Sequence, residues 1–481
     1  MVKMKRFINV VLPTTKCNLK CHYCFTRQTD GLQGEIPELP YSVDFILSAL
    51  TCIRLGGPSL MHVSAIAETC MVPYLTPLVE GLLKEGHYAV VVTNGTITKQ
   101  IERFLELAPE LRKRLQISFS FQYLELTRLN MIDEFFNNIK KVRDSNISFT
   151  VNYVANDETV EDIPYIKELC LTNLGALCHI TESRDVANAD TPRLTKMELD
   201  KHQSVWGSFN SDLFNTHQQT WGIKRTEFCY SGDWLVNLYL ESGRITPCLG
   251  NDHTIANIYQ NIEEPIDFCA VGTNCSWQHC YCSHVAVPLG VLPSLITPET
   301  PRYADIRNRT SDGGEWLTAE GKNFFNTRLY ETNNEYSDNK KMFANEIMVC
   351  QYSGTPKISP QLAIIVYENL KKRGYNSIAI VGNDKVGIWL VELLSLTKMN
   401  VKFVVEHTTQ PTTQTNVKNA LKYIIKNLLA KTPPLLNIND AWPKVDAYII
   451  SDYPNVSQWK RTVEKIKRVS KSIVSILNIV D

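Results

Sequence analysis

The stretch VLPTTKCNLKCHYCF, Val11–Phe25, sets Cys17, Cys21 and Cys24 into eight residues, directly behind the apolar run RFINVVL that begins at Arg6. Thiolates bind soft metals, and a closed structural zinc site takes four ligands. This loop offers three, with His22 the only near fourth. Three cysteines on a four-iron cluster leave one iron open to an outside ligand, because full protein ligation takes four.

Working outward, the first 180 residues alternate strand and helix patterns. Strand-like runs are RFINVVL from Arg6, LMHVSAIA from Leu60, YAVVVT from Tyr88, QISFSF from Gln116, SFTVNYV from Ser148 and ALCHIT from Ala176. Amphipathic stretches near 41–55, 72–86, 97–113, 129–144 and 160–173 separate them. Six such units predict an α/β fold with a partial (βα)6 barrel, its chemistry at the C-terminal strand ends. The cysteine loop follows the first strand, where such a barrel carries a functional loop.

The whole chain fits this reading. Its 481 residues hold 44% apolar side chains, enough for several cores, and Lys plus Arg equals Asp plus Glu at 50 each. That balance gives no electrostatic reason to expect nucleic acid or a membrane as partner. No apolar run approaches a spanning length, so a cytoplasmic location is expected. Fourteen cysteines fall into two groups and a scatter. Clustered cysteines in a reducing compartment point to metal or redox chemistry.

The C-x3-C-x2-C loop behind a first barrel strand resembles the radical S-adenosylmethionine superfamily, with Tyr23 at that family's aromatic position before the last cysteine. The resemblance covers residues 5–185. It implies a 4Fe–4S cluster on Cys17, Cys21 and Cys24, with S-adenosylmethionine chelating the open iron, and an electron donor of the flavodoxin or ferredoxin type. It also implies cofactor contacts from Glu68 after the second strand, Thr93 and Asn94 in VVVTNGT, Ser118 and Ser120 on the fourth strand, Asn152 on the fifth and Arg184 or Glu182 after the sixth. GGPS at Gly56–Ser59 precedes the second strand and reads as an ordinary turn. The competing reading of the loop is a zinc site completed by His22 or a distant residue.

Cys229, thirteen residues, Gly243, four residues and Cys248 resemble the opening of the SPASM and twitch extensions of that superfamily. The hairpin LVNLYLESGRITPC is expected to turn at Ser242–Gly243. Downstream, CSWQHCYCSH supplies Cys275, Cys280 and Cys282, two of which would complete an auxiliary 4Fe–4S cluster, with His279 and His284 near them. Zinc is again the rival. Residues 294–340 read as loop and linker.

From Ser359 a new alternation predicts a separate Rossmann-like, doubly wound α/β domain. Gly382 and Gly387 hold the outer positions of G-x-G-x-x-G, but Asp384 fills the middle one and opposes a dinucleotide; Glu406 lies where a ribose-binding acid would sit. The domains expected are therefore 1–220, a radical S-adenosylmethionine barrel; 221–340, a SPASM- or twitch-like region; and 355–481, the terminal domain. Only sixteen residues precede Cys17, which favours a small molecule or sugar over a peptide as substrate. The expected function is hydrogen abstraction by a 5′-deoxyadenosyl radical, giving oxidation or epimerisation. The alternatives are a peptide maturase and a non-catalytic zinc scaffold. Cys70 and Cys178 are conceivable hydrogen donors.

Overall fold

The alternating first third of the chain forms six strands: β1 (Arg6–Leu12), β2 (Ser59–Ala65), β3 (Tyr88–Thr93), β4 (Leu115–Ser120), β5 (Ser148–Val154) and β6 (His179–Thr181). This computed structural model describes residues 2–353 apart from 189, 274, 276, 278 and 279, and also 360–381, 385–405, 435–437, 445–450 and 473–474. Each strand pairs in parallel with the next, and helices cross between them. The α/β class is as expected, with the strand order of an incomplete βα barrel.

The free edge of β1 takes a further parallel strand, β7 (Leu235–Tyr239), which continues through antiparallel β8 (Arg244–Thr246) and β9 (Ala256–Asn257). The sheet stays open, with β6 and β9 at its edges. The expected hairpin is therefore present: Gly243 takes φ +72° in its turn and donates its N–H to Tyr239 O at 2.8 Å. Its position in the barrel sheet was not anticipated. Arg6 of β1 secures it, donating through Nε to Asp233 O and through Nη2 to Asp233 Oδ1, both at 2.8 Å.

The two faces of the sheet differ in chemistry. Ile8, Val10, Met61, Val63, Ala89, Val91, Ile117, Phe119 and Val151 share one face and are buried. The opposite face is unusually polar for a barrel lumen, where branched aliphatics ordinarily fill the layers. Asn237, Asn9 and His62 stand in register on β7, β1 and β2, while Ser118 and Ser120 face Thr150 and Asn152. Asn9 Nδ2 donates to Asn237 Oδ1 at 3.1 Å, and its Oδ1 lies 3.0 Å from His62 Nδ1. A lumen of this kind accommodates a polar guest.

The chain divides into two units, one of residues 1–258, 262–266 and 277–334, the other of 259–261, 267–276 and 335–481. Residues 221–258 and 277–334 thus belong with the barrel. Much of the stretch expected as linker is core instead: Trp316 is 3% exposed and stacks on Phe149 with centroids 5.4 Å apart, and Phe324 stacks on Tyr88 at 3.6 Å. These aromatics lack helical or strand spacing, so no periodicity signals their burial.

In the second unit, β10 (Ser377–Val381), β11 (Asn400–Val405), β12 (Leu435–Asn437), β13 (Ala447–Ile450) and β14 (Ile473–Val474) form a parallel sheet in the order β12-β11-β10-β13-β14. A core around Leu362, Val366, Trp389 and Leu393 packs its helices. Gly382, Asp384 and Glu406 lie outside the described residues. No helix of the described residues is long and apolar enough to cross a membrane.

Candidate active site

Pro13 and the polar residues after it end β1, and the chain from there to Cys24 is held by side chains from three other strand ends. Lys20 N–H donates to Glu125 Oε2 at 2.8 Å, and Glu125 in turn is gripped by Arg128 through Nε and Nη2 at 2.8 and 2.9 Å. Tyr23 Oη donates to Gln122 Oε1 at 2.6 Å, with Cys21 Sγ 3.7 Å from the same oxygen. Asn18 Nδ2 donates to Thr96 Oγ1 at 2.8 Å and its Oδ1 accepts from Asn94 Nδ2 at 2.9 Å. Thr26 Oγ1 caps the exit, donating to Ile66 O at 2.8 Å.

This bracing brings the three thiols into one another's fields. Burial, then the charges of Cys17 and Cys24, push Cys21 up to about 12. Burial also raises Cys17, with Glu68 and Cys24 adding to it. Thiols so placed prefer to stay neutral alone and are deprotonated outright when a metal binds them.

The three cysteines line a cavity of about 420 Å³ at the C-terminal mouth of the sheet. That size suits a small organic ligand, for which sites run from about 300 to 1,000 Å³. Tyr23, Glu68, Thr93, Asn94, Ser120 and Arg184 also line it. Ser118 and Asn152 are not lining residues; they bond each other, Asn152 Nδ2 to Ser118 Oγ at 3.1 Å.

Glu68 is 3% exposed and accepts three bonds: from Cys70 N–H at 2.9 Å and Thr93 Oγ1 at 2.6 Å on Oε1, and from Asn94 N–H at 2.8 Å on Oε2. Burial nonetheless holds its pKa above the ordinary carboxylate value. Oε2, with one acceptor position still open, can take a further donor from the cavity. Thr93 and Asn94 have their side chains engaged within this turn, where Gly95 is required: its φ is +75°, and a Cβ would meet Phe119 and Phe135 at 2.8 Å. Gly56 and Gly57 sit before β2, at the opposite strand end from the cysteines.

A second thiol group occupies the same unit. Cys248 is half-buried, and its thiol is pushed well up by desolvation and then by Cys282, Cys280 and Cys229. Cys229 and Cys248 flank the β7–β8 hairpin, while Cys282 caps the short helix Ser283–Ala286 and Cys280 precedes it. The Cys248 thiol thus lies within the field of three others, from its own hairpin and from the segment before that helix. Cys275 belongs to the other unit, and His279 lies outside the described residues. Among the described residues no three His, Cys, Asp or Glu side chains close on a point as around a single ion. A four-iron cluster instead seats each thiolate on a different iron and needs the sulfurs spread around a volume.

Residues 11–170 match the family model described as Radical SAM superfamily. This stretch is similar to a radical SAM domain. That family implies a 4Fe–4S cluster and S-adenosylmethionine, and the cysteine loop and cavity fit both. Solved structures similar to this chain include SuiB of Streptococcus suis bound to S-adenosylmethionine, at 16% identity over 52% of this chain and 61% of that one, TM-score 0.36. Another is native anSMEcpe with bound AdoMet and Cp18Cys peptide, at 14% identity over 53% and 77%, TM-score 0.38. A third is TYW1 with a lysine-pyruvate adduct, at 15% identity over 43% and 74%, TM-score 0.30. The chain spans about three-fifths of the length of SuiB. No curated protein matches it.

Gln122, Glu125, His62 and His217 escaped the reading of the sequence, which placed His284 only beside Cys280 and Cys282. The first two follow β4 in FQYLEL, a strand-end position that could have been flagged. His217 and His284 come from segments that only tertiary packing brings to the cavity.

Proposed function

We propose that this chain is a radical S-adenosylmethionine enzyme that oxidises a small molecule or sugar at a C–H carbon. One observation carries the reading: a single cavity is lined at one side by Cys17, Cys21 and Cys24, and elsewhere by Arg184, whose Nη2 donates to Tyr281 O between Cys280 and Cys282. A substrate in that cavity would lie between the first thiol group and the segment that carries part of the second. Cys17, Cys21 and Cys24 would hold a cluster one ligand short; Cys229, Cys248, Cys280 and Cys282 would ligate a second one fully, in the manner of a SPASM or twitch extension. When bound, the first cluster and S-adenosylmethionine supply reductive cleavage of the sulfonium to methionine and a 5′-deoxyadenosyl radical that removes a substrate hydrogen.

This chain's residues do the rest. Glu68 Oε2 would take the methionyl ammonium, and Tyr23, braced on Gln122, holds the loop's shape. Ser120, with His62 and Ser64 across the lumen, offers polar contacts to the guest, and Phe25 and Leu32 flank the mouth. Oxidation is favoured over epimerisation because, among the described residues, no cysteine outside the first loop lines the cavity; Cys70 and Cys178 are buried and are not lining residues. The sheet order of the second unit supports a Rossmann-like module, since it is the 3-2-1-4-5 arrangement of doubly wound sheets.

The test is cleavage of S-adenosylmethionine to 5′-deoxyadenosine by anaerobically reconstituted protein under a strong reductant. Wild type should form it and Cys21→Ala should not. Formation by the variant, or none by wild type carrying its iron, refutes the proposal.

A further inference from the structure

We propose that the part of the cavity bounded by Arg184, His217 and His284 is an oxyanion subsite that holds a carboxylate or phosphate group of the substrate. This rests on the functional reading above and adds a charge class to it.

Arg184 lines the cavity, its guanidinium flanked by the rings of Trp221 at 5.6 Å and Tyr281 at 5.4 Å. One nitrogen, Nη2, donates to Tyr281 O at 3.2 Å. A guanidinium has five N–H donors in a planar fork suited to carboxylate or phosphate. Among the described residues no carboxylate forms an ion pair with it. The acid nearest in the chain, Glu182, is fully engaged: His202 Nε2 lies at 2.9 Å, Arg193 Nε donates at 3.0 Å, and Gln218 Nε2 donates as well. Burial lowers the Arg184 pKa, the mark of a cation short of compensation.

Two imidazoles complete the site. His217 is 3% exposed and lines the cavity, yet among the described residues neither ring nitrogen has a hydrogen-bond partner. Its ring lies 4.0 Å from that of His284, whose Nδ1 is also unpartnered. Buried polar atoms without partners are uncommon and costly, so such nitrogens on residues that line a cavity point to a guest that bonds them. An anion with several oxygens satisfies the guanidinium and the imidazoles together. The guest assigned is the substrate and not the methionyl carboxylate, because the Arg184 guanidinium is anchored on Tyr281 O, between Cys280 and Cys282 of the second thiol group.

The experiment uses the reconstituted full chain and follows its melting temperature with inorganic phosphate, and separately with succinate, against chloride at matched ionic strength. At least one probe should raise it by about 2–4 °C. A response to phosphate alone marks a phosphorylated substrate, and one to succinate alone a carboxylate. The rise should vanish in Arg184→Gln, return in part in Arg184→Lys, shrink in His217→Phe and survive saturating S-adenosylmethionine. No rise with either probe, an equal rise in Arg184→Gln, or abolition by S-adenosylmethionine overturns the inference. If Arg184→Gln does not fold, His217→Phe and the competition decide it. Wild type that cleaves S-adenosylmethionine but shows no rise refutes this inference alone; a rise without cleavage refutes the functional reading alone.

Discussion

Replacing Glu125 by Ala removes the carboxylate that fastens the cysteine loop from outside. Glu125 accepts Lys20 N–H at 2.8 Å, one residue before Cys21, and its side chain is only 11% exposed. A hydrogen bond to a charged group contributes about 1.5–3 kcal/mol. The lower half of that range applies, because a freed backbone N–H beside an exposed lysine can turn to water. Losing the Arg128 pair adds at most about 0.5 kcal/mol, since that guanidinium is 54% exposed. The loop should therefore lose about 2 kcal/mol of support, roughly a thirtyfold change in the equilibrium between held and open loop. Reconstituted protein is mixed with excess ferrous chelator and iron release is followed by absorbance. About half of the iron, the share of one cluster in two, should leave ten- to thirtyfold faster than in wild type, with the other half unchanged. Glu125→Gln, which keeps an acceptor, should fall between. Unaltered release in Glu125→Ala, or equal acceleration of both halves, refutes the reasoning.

Other expectations follow from the same contacts. Gly95→Ala should lower stability by about 2–4 kcal/mol in urea titration, combining a left-handed backbone with a clash on Phe119 and Phe135. Asp233→Ala removes the carboxylate beside the Arg6 guanidinium and leaves it on backbone carbonyls, at a cost of about 1.5–3 kcal/mol in the same assay. Cys248→Ala should reduce bound iron from about eight to about four per chain without releasing the first cluster's share. His62 is held down to about 3 by burial and then by Arg307, so it stays neutral when folded while the unfolded chain protonates near 6.5. Its depressed folded-state pKa means stability that is complete above pH 6.5 and lost as pH falls from there towards 3. Wild type should lose about 1 kcal/mol more than His62→Gln between pH 7 and pH 5.5, measured by urea midpoints at each pH.

The legible parts of this molecule are those whose signal is local. Val-rich runs such as YAVVVT and SFTVNYV mark buried parallel strands because both faces of such strands are covered, and β3 and β5 begin and end as their residues suggest. The spacing of Cys17, Cys21 and Cys24 is equally local. The pairing of β7 with β1 is not, since more than 200 residues separate Asn9 from its partner Asn237 and nothing in either run names the other. The burial of Trp316 and Phe324 was hidden for the same reason. Cys229 and Cys248 flank that unforeseen strand and its hairpin, so their place beside the barrel was equally hidden, and the histidines of the cavity arrive with the helices packed there. Ser118 and Asn152 show the converse limit: alternation places them on the lumen face, but strand position alone does not say how deep they sit.

The central claim is that the first cysteine loop leaves one metal position for S-adenosylmethionine. It is tested most directly by the electron paramagnetic resonance of the reduced cluster in Cys248→Ala protein, where only that cluster remains. Adding S-adenosylmethionine should shift the g-values of the signal, and adding methionine-free adenosine should not. A spectrum unchanged by saturating S-adenosylmethionine would contradict the account.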